Sequence, residues 1–368
     1  MNSNSPLPAV RALHLLPHQG VGGVQRFVIE LVRHERMDQA ADELVLTDRP
    51  LNVETDFLAP ATPVHFLGLV EEKLKRRAER LADLAESRSA RTLVVYQARD
   101  LALALAAKAH ASHDLRIVTH LFDGPEGFSP SSGSLLRAFR PREELRSVDR
   151  FFVASPALVA PWNAAGAEAE VRLAAIDIQR FHPQQVQSSW RAARLPDPET
   201  LLIGSLMRAE AEKGQDVLIA AVNRRHAAGR PTALMLVGDG SLHPALREQA
   251  KASETLFVRR RVLDAPGFFG RIDAFALHSP SELVPMGLLE SLACGRAATV
   301  ADPGGVAALV GMEGALFTPP GDVDAVIEAF DRLDEPGFRQ SLGEAGRQRA
   351  VEHHNLGQLR SALAPDFA

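Results

Sequence analysis

The sequence predicts an α/β protein built from two doubly wound domains in tandem. Short apolar runs alternate with helical patterns along the whole chain, the signature of parallel sheets covered by helices on both faces. A polar, Pro-bearing stretch interrupts the alternation near the middle. The 368 residues also exceed the roughly 250 to 300 at which a single core stops growing.

In the first half, strands are expected at Val10 to Leu16, Glu43 to Thr47, Val64 to Leu67, Thr92 to Tyr96, Arg116 to Leu121, Phe151 to Ser155 and Glu170 to Ala174. The boundary falls where QQVQSS and LPDPET replace the periodic pattern. It divides a first domain, 1–180, and a linker, 181–199, from a second domain, 200–368. Strands of the second half are expected at Leu201 to Leu206, Ala233 to Val237, Leu256 to Arg260, Asp273 to Leu277, Ala297 to Val300 and Ala315 to Phe317.

Composition sets outer limits. A hydrophobic share of 46% with 24% charged residues is that of a globular enzyme, and a net charge of −5 argues against nucleic acid as the main partner. The N-terminal MNSNSPLPAV lacks a basic segment followed by an apolar one, and no 18-residue apolar run occurs, so a cytoplasmic protein is expected. The single cysteine, Cys294, excludes internal disulfides and reads as a small buried hydrophobe.

Open α/β sheets bind ligands at the carboxyl ends of their strands, so candidates are sought there. After the first strand, Gly22 and Gly23 precede a helical pattern and would let the backbone approach a phosphate. Tyr96, Gln97 and Arg99 follow the fourth strand, and His120 and Asp123 the fifth. In the second half, Arg208 and Lys213 lie around a turn closed by Gly214, two cations suited to a diphosphate unless Glu210 and Glu212 pair with them. The Gly-rich turn Val237 to Ser241 contains Gly238 and Asp239.

The organising stretch is 279–294. A strand, a Pro-bearing loop and a helix start marked by Pro285, Met286 and Gly287 would aim free amides and the positive dipole end at an anion. Glu282 ahead of the helix and Glu290 one turn in would accept hydrogen bonds from hydroxyls on either side.

This order of residues, with Gly304-Gly305 and Pro319-Pro320-Gly321-Asp322 further on, resembles the nucleotide-sugar-dependent retaining glycosyltransferases of the GT-B fold, glycosyltransferase family 4. The resemblance runs from about Gly204 to Arg349 and is looser in the first half, where it rests on Gly22, Gly23, His120, Ser155 and the Asp177, Phe181, Pro183 stretch. It implies two Rossmann-like domains facing across a cleft, donor bound mainly to the second and acceptor to the first, retention at the anomeric carbon, and no cofactor or metal. Arg208 and Lys213 would then bind the donor diphosphate, Glu282 the transferred sugar, the backbone of Val284, Pro285, Met286, Gly287 and Leu288 the distal phosphate, and Glu290 the ribose. Gly22 and Gly23 would face the donor phosphates, Gly238 and Asp239 would complete the nucleotide site, and His120 would orient the reacting sugar.

Two departures stand out: Ala175-Ile176-Asp177 replaces a usual Asn-Gly before the Asp, and Arg259-Arg260-Arg261 replaces a Gly of the base-facing segment. The implied acceptors are a glycan, a lipid-linked saccharide or a small molecule, in bacterial surface polysaccharide or glycoconjugate synthesis. The same fold also hosts nucleotide-sugar 2-epimerases and non-catalytic binding relatives, and the set Arg208, Lys213, Glu282, Glu290 weighs for transfer. Finally, Glu71 to Ser87 carries Leu74, Ala78, Leu81 and Ala85 at helical spacing beside Lys73, Arg76, Arg77 and Arg80. It is an ordinary surface helix or a weak peripheral contact with anionic lipid.

Overall fold

A computed structural model describes residues 10–18, 22–35, 41–49, 63–68, 72–128, 141–183, 195, 197, 199–260 and 264–367. Residues 19–21 of the first loop, Glu71, Arg261 and most of the expected linker lie outside them. The strands are β1 Val10–His18, β2 Ala41–Arg49, β3 Val64–Phe66, β4 Thr92–Val95, β5 Arg116–Leu121, β6 Arg150–Val153, β7 Glu170–Val171, β8 Leu201–Leu206, β9 Thr232–Val237, β10 Leu256–Arg259, β11 Ala274–Leu277, β12 Ala297–Ala301 and β13 Leu316–Thr318. The helices are α1 Gly23–Glu35, α2 Leu74–Ser87, α3 Ala98–His110, α4 Pro141–Leu145, α5 Val159–Ala165, α6 Gln215–Ala227, α7 His243–Lys251, α8 Ala265–Phe269, α9 Met286–Ala293, α10 Val306–Val310, α11 Val323–Leu333, α12 Pro336–His353 and α13 Leu356–Phe367.

Each half forms one parallel sheet, β3-β2-β1-β4-β5-β6-β7 in the first and β10-β9-β8-β11-β12-β13 in the second. Strands β4, β9, β11 and β12 are buried along their whole length, as continuous apolar runs must be when helices cover both faces. The core of the second sheet gathers Ile203, Leu218, Val222, Leu234, Ala276 and Phe330.

The chain divides into two compact units, Met1–Ala174 with Leu356–Ala368, and Ala175–Asn355. The division precedes the expected linker 181–199 because residues 175–183 pack with the second unit. Ile176 donates its amide to the His354 carbonyl at 2.8 Å. Arg347 donates to the Phe181 carbonyl at 2.8 Å, and the Phe181 ring meets Phe269. The last helix, α13, belongs to the first unit, where Phe367 packs edge-on against His14.

His14 is part of a buried polar chain, bonded through Nδ1 to Tyr96 Oη at 2.6 Å and through Nε2 to Asp42 Oδ2 at 3.1 Å. Burial alone would raise the Asp42 carboxyl, but His14 and Arg11 outweigh it and hold the group below its ordinary range. Tyr96, a candidate on its place after β4, is therefore a core residue with its hydroxyl engaged. Its neighbour Arg99 pairs with Asp48 at 3.2 Å.

Helix α2 forms within the basic stretch between Glu71 and Ser87. Its stripe of Ala78, Leu81 and Ala85 is buried within its own unit, where the helix packs on α3, and so is not free to enter lipid. Arg77 is buried too and donates to the Thr47 carbonyl, while Arg80 pairs with Glu72 at 2.6 Å. Among the described residues no helix is long and apolar enough to cross a membrane.

Docking of α13 should therefore depend on Phe367, whose side chain is fully buried. Phe367→Ala is expected to lower stability by about 3–5 kcal/mol in denaturant unfolding, against less than about 0.5 kcal/mol for exposed Met312→Ala.

Candidate functional site

The second sheet leaves its central strand β8 toward β9 and β10, then returns to the other side of β8 as β11. At such a switch point the loops after the two neighbouring strands turn away from each other and leave a crevice. Residues 207–214 follow β8, and residues 278–285 follow β11.

Glycine lets these loops approach. Gly214 has φ 68°, and a Cβ there would lie 2.2 Å from the His278 carbonyl oxygen. A Cβ on Gly238 would lie 1.7 Å from the Met207 carbonyl oxygen, so the loop after β9 can close on the loop after β8. The seam is hydrogen-bonded: Ala209 donates to the Asp239 carbonyl at 2.9 Å, and Leu242 to the Ala209 carbonyl at 2.8 Å. Glu210 accepts from the Ser241 hydroxyl, a bond that lowers its pKa.

Across the crevice Lys213 Nζ meets Glu282 Oε2 at 2.5 Å, with both side chains partly exposed, at 15% and 27%. Beside them α9 starts after Pro285 with no side-chain cap and no acidic residue in its first turn. Its leading amides are thus left for solvent or a ligand. A Cβ on Gly287 would sit 3.1 Å from the Leu206 carbonyl, which seats this helix start on the end of β8. Val284, Pro285, Met286 and Leu288 have buried side chains, so at this start they offer backbone.

The other expected residues are placed differently. Arg208 is exposed and pairs with Glu212 at 3.3 Å, and its carbonyl accepts from Gln215 Nε2 at 2.6 Å. Asp239 is exposed beside Arg260. Glu290 is only 3% exposed, so its carboxylate lies below the crevice surface. Cys294 is buried, and burial pushes its thiol up to about 12, which makes it a hydrophobe in practice.

In the first unit, Gly22 wraps around its own helix start: a Cβ there would meet Gln25 Oε1 at 2.2 Å, while Gly23 is the first, exposed residue of α1. His120 is fully buried among Phe27, Tyr96 and Phe122. Its Nε2 bonds to the Arg172 carbonyl at 2.6 Å, and burial depresses its pKa to about 4. It is neutral and enclosed, not presented at the strand ends. Asp123 is the more accessible group: it accepts from the Ala98 amide at 2.8 Å, and burial raises it to about 6.

Three polar residues missed in the sequence tie the strand ends of the second sheet together. His278, just after β11, bonds through Nε2 to Thr318 Oγ1 at 2.9 Å, and the Asp302 amide donates to the Thr318 carbonyl at 3.1 Å. Burial alone would raise the Asp302 carboxyl, but the amides of Gly304, Gly305, Val306 and Ala307 outweigh it and hold it below its ordinary range. An Asp ahead of Pro-Gly-Gly and an apolar run was the readable signal for this cap. His278 is 1% exposed, and burial lowers its pKa to about 4. Among the described residues no group of three His, Cys, Asp or Glu side chains converges as a metal site.

Residues 197–335 match the model of the family described as glycosyl transferases group 1. A glycogen synthase of Mycobacterium tuberculosis is 30% identical over 188 residues, 47% of this chain and 43% of that relative, so the match spans less than half of the relative's length. Anabaena HepE, solved in complex with UDP and glucose, superposes with a TM-score of 0.77 at 17% identity, over 97% of this chain and 99% of its own. A glycosyltransferase from Rickettsia africae gives a TM-score of 0.79 at 13% identity, over 98% of both chains. The fold is that of GT-B glycosyltransferases, two Rossmann-like domains each with a parallel sheet.

The buried imidazoles of His120 and His278 predict a pH dependence. Their folded pKa values lie below the unfolded value, so between about 6.5 and 4 the unfolded chain takes up protons that the folded chain refuses. Stability is expected to fall as pH drops through that window, by up to about 3 kcal/mol for each group. His278→Gln should flatten the slope of unfolding free energy against pH, and an unchanged slope would contradict the assignment.

Proposed function

We propose that the chain is a retaining glycosyltransferase that moves a sugar from a nucleoside diphosphate to a hydroxyl. The observation that carries this reading is the meeting of Lys213 and Glu282 at the switch point, beside the uncapped start of α9. A cation and free amides suit a diphosphate, and a carboxylate one bond away suits the hydroxyls of the attached sugar. The family match over 197–335 supports it, and HepE, solved with UDP and glucose, makes uridine diphosphate the first nucleotide to test.

In this reading the donor displaces the Lys213–Glu282 pair. Lys213, with Arg208 swung from Glu212, takes up charge on the departing diphosphate, so no divalent cation is required. Glu282 fixes the sugar, the amides of Met286 and Gly287 hold the distal phosphate, and Glu290 reaches the ribose once the helix start adjusts. Gly238 and Asp239 border the nucleotide. The bond from the anomeric carbon to diphosphate oxygen breaks, and a bond to the acceptor oxygen forms on the same face. The acceptor proton leaves with the diphosphate. A glycan, a lipid-linked saccharide or a small metabolite would serve as acceptor, in bacterial glycoconjugate synthesis at the cytoplasmic face. Any membrane contact through α2 would be electrostatic only, through exposed Lys73, Lys75 and Arg76.

Thermal unfolding against the five common nucleoside diphosphates without metal tests the reading. A nucleotide at about a hundred times its dissociation constant adds roughly 2.7 kcal/mol, a rise of about 2–4 °C. One nucleotide should stabilise the wild type and fail with Lys213→Ala; no stabilisation by any of them would overturn the proposal. Glu290→Ala should weaken nucleotide binding. Glu282→Ala should leave nucleotide affinity equal or higher, because Lys213 is released, while kcat/KM for transfer drops by about a hundredfold or more.

A further inference from the structure

The second unit contains a cavity of about 520 Å³ between α6 and α7, beside the loop after β8 but lined by neither Arg208 nor Lys213. Its walls follow helix spacing. Gln215, Ile219 and Asn223 recur every fourth residue along α6, and Leu246 and Gln249 stand three apart on α7. Ile219 and Leu246 are nearly buried and make an apolar floor, while Asp216, Asn223 and Gln249 stand at the exposed rim.

The polar part of the lining is one-sided. Gln215 is 2% exposed, and its Nε2 donates to the Arg208 carbonyl at 2.6 Å, which leaves Oε1 buried with no partner. Among the described residues the side chains of Asp216, Asn223 and Gln249 make no hydrogen bond or ion pair. The helix dipole favours Asp216 in the first turn of α6 but gives its oxygens no hydrogen bond. No Lys, Arg or His is among the described residues that line the cavity, so one carboxylate sets its charge. An ammonium group brings one positive charge and three donors, and Asp216, Gln215 Oε1 and the amide oxygens of Asn223 and Gln249 are acceptors to match. A phosphate or carboxylate would instead meet Asp216 with like charge. The floor takes a hydrocarbon body, and a volume of several hundred Å³ suits a small molecule rather than a chain segment.

We infer that the cavity between α6 and α7 is a binding site for a small organic cation, an amine with an apolar body. The donor-site reading is not needed for it. Gln215 holds the Arg208 carbonyl, and Leu242, also in the lining, donates its amide to the Ala209 carbonyl at 2.8 Å. An occupant therefore bears on the anchors of the loop that carries Arg208 and Lys213.

The test uses the full chain with labelled isoleucine methyl groups, followed by nuclear magnetic resonance as phenethylamine is added at neutral pH, where its amine is protonated as that of lysine is. 2-Phenylethanol and phenylacetate supply the same ring without charge and with negative charge. Saturable movement of the Ile219 methyl signal is expected with the amine, at an affinity about fivefold above that of the alcohol, with phenylacetate weaker still. Asp216→Asn should bring the amine to the level of the alcohol, and Ala220→Trp, which fills the cavity, should abolish both. If Ala220→Trp fails to fold, exposed Asp216 decides the matter alone. An Ile219 signal that does not move saturably, an amine held no more tightly than the alcohol, or an affinity that Asp216→Asn leaves unchanged overturns the site. Movement confined to isoleucines elsewhere does so as well, and each of these results leaves the reading of Lys213 and Glu282 standing.

Discussion

Two parallel neighbours, β8 and β11, whose connections leave in opposite directions, set the rest of the second unit in place. Parallel strands of one sheet present all their outgoing loops at one end, and only at the reversal of strand order is there room between two of them. The chain fills that room with glycine where backbone meets backbone, at Gly214 and Gly238, and with opposite charges where side chains meet, at Lys213 and Glu282. A partly exposed ion pair contributes on the order of 1 kcal/mol or less. A pair this weak can be exchanged for other partners at little cost.

Around this crevice the polar groups fall into two kinds. Lys213, Glu282 and Arg208 are accessible and exchangeable. His278, Thr318 and Asp302 are inward-facing or committed to backbone, and they fix the ends of β11, β12 and β13 against one another. Burial keeps His278 neutral while it makes its bond to Thr318. Rigidity beneath the site and adaptability at its surface thus come from different residues at the same strand ends.

The sheet architecture was legible in the sequence because every strand of a doubly covered parallel sheet must be an apolar run, and such runs are visible. β5 and β8 begin and end where their runs do. Lys213 and Glu282 were also legible, since each sits directly after a strand. The division between units was harder. Residues 175–180 read as the end of the first domain, and what ties 175–183 to the second unit includes Arg347, more than 160 positions away. The apolar stripe of α2 was legible only in part: periodicity shows that a helix has an apolar face but not what covers it, and here the unit's own helix α3 does. His120 followed its strand as expected, but the ring cluster that encloses it comes from Phe27, Tyr96 and Phe122, scattered over the first unit.

A crystal structure of the protein grown with UDP tests the central claim most directly. A donor site at the β8–β11 crevice predicts diphosphate oxygens within about 3 Å of Lys213 Nζ and of backbone amides at the start of α9, with the bond from Lys213 to Glu282 opened. A nucleotide seated elsewhere, with that bond intact at 2.5 Å, would contradict it.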